Sequence, residues 1–240
     1  PLIVLAAVAA GTFWIGIPAF FKLRYGVNEI ITTLLFSYVA FLLAQNLLFG
    51  VWRDPSSGFP ASPLFDPGIE QLSKLGWGSL YTGIWISLAA CGIWWWIMSI
   101  SRFGFFMDAV GSNPVASAST GIPVLATIAG ATILSGGLAG VAGLVIVAGQ
   151  EYRLTIHIAQ GFTFSSIVIA FVARFNPIGV MVTAFVIGGI YTAGETLKVF
   201  YQLPSAMVSI LEAVILLSLL IVEFFGRYHI KIRKKEAQHG

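Results

Sequence analysis

Residues 123–148 read PVLATIAGATILSGGLAGVAGLVIVA, and this stretch decides the fold class. It contains no charged side chain, and it is longer than the about 20 apolar residues that a helix needs to cross a bilayer core of about 30 Å. Its apolar residues are continuous, whereas the strands of a membrane barrel alternate between apolar and polar positions. The stretch therefore predicts a transmembrane α-helix.

The composition extends this prediction to the whole chain. Hydrophobic residues make up 58% of the 240 residues and charged residues 10%, and the mean hydropathy is +0.90. A soluble domain carries about 25% charged residues. We predict an all-α, polytopic transmembrane bundle formed by a single domain over residues 1–240. Because the chain begins at Pro1, inside an apolar run without signal-peptide features, we expect its N-terminal part to be missing.

Six apolar runs are long enough to cross a bilayer. They are residues 2–21, 29–50, 79–101, 123–148, 177–193 and 206–226. A seventh apolar run, residues 162–174, is short and is followed by Asn176-Pro177. It is compatible with a short crossing helix or with a broken, re-entrant helix, which would line protein or a water-filled cavity. The sequence thus predicts six to seven membrane segments.

The basic residues predict the orientation. With the tail at residues 227–240 in the cytoplasm, Lys22, Arg24, Arg102 and Arg174 also fall on the cytoplasmic side. The basic residues of the other side are accompanied by five acidic ones: Asp54, Asp66, Glu70, Glu151 and Glu195. Residues 51–78, rich in Pro, Gly and Ser, then form an external loop, and residues 102–122 form a cytoplasmic one.

The segment AVGSNPVASASTGI at residues 109–122 is polar, although very apolar stretches lie on both sides of it. Asn113 suits a helix N-cap, and Pro114 suits the first helical position. Gly121 can adopt the left-handed conformation that ends a helix, and Gly111 leaves the chain room to bend. We predict a capped helix of about two turns. An ordinary connecting loop is the alternative, although such a loop would need fewer residues.

Three motifs resemble one family. The segment at residues 109–122, GVNEIITTLLFSYVA at residues 26–40 and WRDPSSGFPAS at residues 52–62 are similar to segments of ABC-importer permeases of the branched-chain amino acid and simple-sugar type, in the nucleoside and simple-sugar branch. At Asp108 that family usually has Arg, and Val115-Ala116-Ser117 replaces Glu-Ala-Ala.

The resemblance implies a permease in the cell membrane that is not itself an enzyme and has no cofactor. It implies three kinds of partner: an ATP-binding cassette ATPase, a second permease subunit and an extracytoplasmic substrate-binding protein. The sequence contains no G-x-x-x-x-G-K-[ST] motif, so we expect ATP to bind a separate subunit. The expected ATPase-coupling residues are Gly111, Asn113, Pro114, Ala116 and Gly121.

Four residues are candidates for the substrate path. Glu212 lies inside the last span, where a carboxylate costs several kcal/mol unless it is paired, protonated or facing water. Phe162 and Phe164 begin the short segment, and Asn176 follows it. Each also has a purely structural interpretation, such as a buried hydrogen bond for Glu212.

Other functions are less well supported. We find no nucleophile with a base, no carboxylate pair and no metal-ligand spacing, and Cys91 is the single cysteine. The net charge of +3 is too small to indicate nucleic-acid binding. An ion-coupled secondary transporter remains an alternative because of Glu212, as do a branched-chain amino acid permease and a purely structural membrane subunit.

Overall fold

The computed structural model describes residues 2–56, 58–66, 72, 82–156, 158, 162–202 and 204–227. The described helices are α1 (Leu2–Tyr25), α2 (Glu29–Phe49), α3 (Gly83–Ile100), α4 (Arg102–Ser112), α5 (Pro114–Ser119), α6 (Val124–Ile146), α7 (Phe162–Val172), α8 (Pro177–Tyr201) and α9 (Ser205–Arg227). A π-helical turn, Val147–Glu151, continues α6. Within the described residues, extended pairing is limited to one isolated bridge between Ala61 and Thr155, so the predicted all-α class is confirmed.

Five helical stretches of the described residues are long and apolar enough to cross a membrane. They are α1, α2, α3, the continuous stretch Val124–Glu151, and α8. The 23-residue α9 covers the predicted span at residues 206–226. The 11 residues of α7 extend only about 16 Å at about 1.5 Å per residue, which is about half of a bilayer core.

α8 is longer than predicted, because it continues past residue 193 to Tyr201. Residues 194–201 are less apolar, but they contain no proline, and Glu and Lys are good helix formers. The hydroxyls of Thr192 and Thr196 donate to the carbonyls of Gly188 and Thr192, at 2.9 and 2.7 Å. The helix ends where Gln202 takes a left-handed conformation with φ 50°. The fall in hydropathy after residue 193 therefore does not end α8, which continues to the left-handed residue Gln202.

The chain divides into two compact units, residues 1–159 and 160–240. The assignment of a single domain to residues 1–240 stays a prediction. In the second unit, α7, α8 and α9 contact one another, and Ile187 in α8 is 2% exposed. Between α7 and α8 the chain reverses through Arg174 and Phe175, both with positive φ.

In the first unit, α1 and α6 pack with their backbones almost touching. A Cβ added to Gly11 would collide with the carbonyl oxygen of Gly136, and one added to Gly140 with that of Ala7. A Cβ on Gly136 would lie 2.7 Å from the carbonyl oxygen of Gly11. Small residues four positions apart permit this approach between membrane helices. We call this contact the glycine seam.

The turn from α1 to α2 is short and polar. Gly26 has φ +66°, a conformation that glycine adopts without steric cost. The side chain of Asn28 accepts from the N–H of Ile30 at 2.9 Å and caps α2. Lys22 and Glu29 form an ion pair across the turn. Glu29 occupies the first turn of α2, where its negative charge is favourable to the helix dipole.

Part of the segment predicted to be external is hydrogen-bonded to the chain that follows the π-helical turn after α6. The N–H of Ser62 donates to the carbonyl of Leu154 at 3.0 Å, and the N–H of Leu154 donates to the Ser62 hydroxyl at 2.8 Å. Nearby, the hydroxyl and backbone N–H of Ser56 donate to Asp54 and hold the pKa of that carboxyl below its usual value. The N-terminal part of this loop is therefore structured by hydrogen bonds.

Candidate functional site

Residues 102–122 form two consecutive helices. The predicted helix at residues 113–121 is present as α5, but α4 precedes it, and its 11 residues were expected to be loop. Gly111, which was expected to leave the chain room to bend before the cap, lies inside α4. The hydroxyl of Ser101 accepts from the N–H of Gly104 at 3.1 Å and starts α4, and packing against other parts of the chain buries Val110 on this helix.

Asn113 begins α5 as the sequence predicted. Its backbone is extended, with φ −157° and ψ 101°. Its side-chain oxygen accepts from the N–H groups of Val115 and Ala116, both at 3.1 Å. Pro114 occupies the first turn, where the absence of its N–H costs no helical hydrogen bond. Two of the free N–H groups at this helix start are thus satisfied by one side chain.

Gly121 ends this helical segment. Its φ of +84° lies in the left-handed region, which is costly for residues with a Cβ. The N–H groups of Gly121 and Ile122 donate to the carbonyls of Ala118 and Ser117, both at 3.1 Å. The backbone is therefore hydrogen-bonded at both ends of α5, although a helix of six residues would not be stable in isolation.

The two helices are also fixed to membrane helices. A Cβ on Gly130 of α6 would lie 2.8 Å from the ring of Phe103, and one on Gly104 would lie 2.5 Å from the carbonyl oxygens of Ile97 and Met98. α5 contacts α4 and α6, and Ser117, which is 5% exposed, donates its hydroxyl to the carbonyl of Asn113 at 2.9 Å. A force on α5 can therefore pass directly to α4 and α6.

The free surface of α5 is small and weakly polar. Val115 is 76% exposed, and Pro114, Ala116, Ala118 and Ser119 are exposed as well. The neighbouring groove of about 510 Å³ runs from the end of α3 along α4, between Arg102 and Asp108. We call the exposed face of residues 113–121 the coupling surface. Within the described residues, this surface is exposed except at Ser117.

The five predicted coupling residues fall into two groups. Asn113, Pro114, Ala116 and Gly121 belong to the coupling surface or its caps, whereas Gly111 is exposed on α4 with open space around its Cα. Sequence reasoning missed Phe103 and Gly130, which join α4 to α6. Gly130 is one of several glycines in an apolar run, and nothing in the sequence marks it as the one that faces an aromatic ring.

The four substrate-path candidates belong to different parts of the second unit. Phe162 and Phe164 begin α7, whereas Asn176 lies after its end. Asn176 caps α8: its side-chain oxygen accepts from the N–H groups of Ile178 and Gly179, at 3.0 and 3.4 Å. Glu212 belongs to α9. The side chains of Phe162, Phe164 and Glu212 lie outside the described part, so their roles stay predictions.

The long apolar helices, with the capped helix α5 between α4 and α6, are those of a polytopic membrane permease. The family model described as "Branched-chain amino acid transport system / permease component" matches residues 1–222. The chain belongs to this family.

Individual relatives agree with this membership. The chain is 32% identical to the glucose ABC transporter permease protein TsgB13 of Haloferax volcanii, over 97% of this chain and 64% of the relative. It is 31% identical to the guanosine ABC transporter permease protein NupP of Bacillus subtilis, over 90% of this chain and 63% of the relative. It is 27% identical to the nucleoside ABC transporter permease protein NupB of Lactococcus lactis, over 80% of this chain and 55% of the relative. The chain thus spans somewhat over half the length of these relatives. No solved structure matches it.

Proposed function

We propose that this chain is the membrane-spanning permease subunit of an ABC importer for nucleosides or simple sugars, driven by ATP hydrolysis on a separate ATPase subunit. The observation that carries the proposal is α5, a capped helix fixed between α4 and α6. The coupling surface would sit in a groove on the ATPase. Movement of that groove would tilt the attached membrane helices and open the path to one side or the other.

The substrate class is supported by the relatives. Their names specify glucose, guanosine, nucleosides and ribose. The family description names branched-chain amino acids, and a permease for these is the alternative within the family. Measurement of guanosine and glucose uptake, each compared with leucine uptake, distinguishes a nucleoside or sugar permease from a branched-chain amino acid permease.

The remaining partners follow from the same proposal. A second permease subunit, identical or different, would complete the path, and an extracytoplasmic binding protein would deliver the substrate. The chain would lie in the inner or plasma membrane with the tail at residues 227–240 in the cytoplasm, in agreement with its basic residues. The tail beyond Arg227 lies outside the described residues.

A matched pair of tryptophan substitutions tests the coupling surface. Gly111 and Gly92 are both exposed glycines with open space where a side chain would begin. Gly111→Trp places a bulky ring beside the coupling surface, whereas Gly92→Trp places it on α3 within the membrane span. We expect at least a tenfold loss of ATP-dependent uptake for Gly111→Trp and less than a twofold change for Gly92→Trp. Uptake in membrane vesicles and co-purification of the ATPase are the two measurements.

Equal uptake by the two variants, with the ATPase bound equally, contradicts the role of the coupling surface. Normal transport with no ATPase bound contradicts the ABC assignment itself. Membrane levels of both variants, measured by immunoblot, show whether a loss of uptake reflects a loss of folding.

Substitutions of Glu212 distinguish the proposed ABC permease from an ion-coupled transporter. Replacement by Gln keeps a hydrogen-bonding side chain of similar shape and removes the charge. We expect Glu212→Gln to transport within about twofold of wild type. We expect Glu212→Leu to transport less, because leucine would leave any buried polar partner of residue 212 without a hydrogen bond, which costs about 1–3 kcal/mol. Uptake driven by a proton gradient without ATP, and lost in Glu212→Gln, would support the ion-coupled alternative instead.

A further inference from the structure

A cleft of about 310 Å³ lies among α1, α2 and α6, on the α2 side of the glycine seam. Its walls include Trp14 and Pro18 of α1, Thr33, Phe36 and Ser37 of α2, and Gly140 of α6. All lie away from the ends of their helices. The three α2 residues belong to the GVNEIITTLLFSYVA motif, whose role the coupling surface does not explain.

Two aromatic rings form one wall. Trp14 and Phe36 meet edge to face, with ring centroids 6.2 Å apart and an interplanar angle of 73°. Both side chains are half-buried, so part of their ring surface remains available. The indole N–H of Trp14 has no acceptor among the described residues. These two rings therefore offer a flat apolar surface to the cleft, and the Trp14 indole keeps an unused donor.

The same two helices, α1 and α2, also supply hydrogen-bond acceptors to the lining of the cleft. The hydroxyls of Thr33 and Ser37 donate to the carbonyls of Glu29 and Thr33, at 2.7 and 2.8 Å. Each hydroxyl has one hydrogen and two lone pairs, so each oxygen can still accept. Pro18 has no N–H, which leaves the carbonyl of Trp14, one turn earlier, without its usual helical donor. The cleft thus combines ring surface with acceptors suited to hydroxyl groups.

The charge of the cleft restricts its ligand. Every described lining residue is uncharged. An amino-acid zwitterion would bring two charges to membrane depth without a countercharge, which is expensive. A neutral ring with several hydroxyls would use both the aromatic surface and the acceptors. The volume is at the lower end of the about 300–1,000 Å³ of small-molecule sites.

We propose that this cleft is a binding site on the transport path for an uncharged, hydroxyl-bearing ring, a furanose or pyranose, taken either as a free sugar or within a nucleoside. The ring packs on Trp14 and Phe36, and its hydroxyls donate to Thr33, Ser37 and the Trp14 carbonyl. The proposal rests on the proposed function and adds the residues that recognise the substrate.

Substrate affinity is the first test. Trp14→Leu and Phe36→Leu each remove one ring of the wall, and Phe13→Leu and Tyr38→Leu are their controls, because these rings are 72% and 70% exposed and do not line the cleft. We expect the KM for uptake to rise about tenfold in the first pair, about 1.4 kcal/mol, with the maximal rate within about twofold. The controls should keep the wild-type KM. A KM unchanged in all four variants overturns the proposal.

Thiol labelling tests binding without transport. In a Cys91→Ser background, Ser37→Cys places a thiol in the cleft, and Tyr38→Cys places one outside it. The intact transporter in membranes is labelled with a membrane-permeant maleimide in the presence of guanosine, ribose or leucine. We expect protection of position 37, but not of position 38, by guanosine and by ribose. Protection by guanosine alone assigns the nucleoside as the source of the ring.

Three outcomes overturn the proposal: protection by leucine, equal protection of both positions, and protection by none of the three compounds, as expected if lipid fills the cleft. The proposed function fails separately. In that case wild type shows no ATP-dependent uptake of guanosine or of ribose, whereas failure of the cleft alone leaves this wild-type uptake intact and all four leucine variants normal.

Discussion

The helices α5 and α8 both begin with an asparagine before a proline, Asn113-Pro114 and Asn176-Pro177. In both, the asparagine backbone is extended and its side-chain oxygen accepts from the next two free N–H groups. Yet α5 has six residues and α8 has 25. Where a helix starts is set by the cap. Its length is set by the residues beyond the cap, which lead to Gly121 in one case and form a long apolar run in the other.

Removal of the asparagine cap should therefore have different consequences at α5 and at α8. α5 is too short to be stable without its caps, and its position is what the proposed coupling depends on. α8 is held by its length and by its contacts with α7 and α9. Loss of a cap should impair transport at α5 and lower only stability at α8.

The largest expected effect concerns the side of the membrane. Both Asn-Pro starts are predicted to face the cytoplasm, because Arg102 and Arg174 precede them. Single cysteines in a Cys91→Ser background at Ser119 and at the 61% exposed Phe175 should resist an impermeant thiol reagent in intact cells and react in inside-out vesicles. Gly58→Cys should do the reverse. Labelling of only one of positions 119 and 175 in intact cells would show that the two Asn-Pro helix starts face opposite sides of the membrane.

The next largest effect is expected at Gly121. Its φ of +84° costs a β-branched residue about 1–2 kcal/mol or more, so Gly121→Val should displace the end of α5 and lower ATP-dependent uptake about tenfold. Gly121→Asn should retain most of the uptake, because asparagine tolerates the left-handed region better. If the valine and asparagine variants transport equally, the conformation of this glycine does not matter for coupling.

The smallest effect comes from removing each cap. Asn113→Ala and Asn176→Ala should each cost about 0.5–2 kcal/mol of helix stability. For Asn113→Ala we expect uptake per folded transporter to fall about threefold to tenfold. For Asn176→Ala we expect a lower thermal-unfolding midpoint and uptake within about twofold, with an unchanged KM. A raised KM in Asn176→Ala would instead support its predicted place on the substrate path.

The sequence predicted the elements whose causes are local. Continuous apolar runs indicated the membrane helices, and Asn113, Pro114 and Gly121 indicated the ends of α5. Asn176 was interpreted as a substrate candidate, although its hydrogen bonds are those of a cap. The Asn-Pro signal is equally clear there, but the short apolar run before it also fits a broken helix.

Features with non-local causes were missed. α4 was taken for loop because its packing depends on Phe103 meeting Gly130 and on Gly104 meeting the end of α3, and no spacing in the sequence pairs these residues. The glycine seam joins positions 11 and 136, and many other glycines could have served. The cleft exists only because α1, α2 and α6 come together.

The glycine seam also has a mechanical consequence. Where the backbones of Gly11 and Gly136 almost touch, main-chain atoms meet directly, and the side chain of Ile15 packs beside them. Close-packed interiors have low compressibility, so α1 and α6 should shift as one body. α6 carries Gly130, against which α4 rests, and α1 carries Trp14. A shift that begins at α5 would therefore change the width of the cleft in the same movement, with no intervening element to delay it.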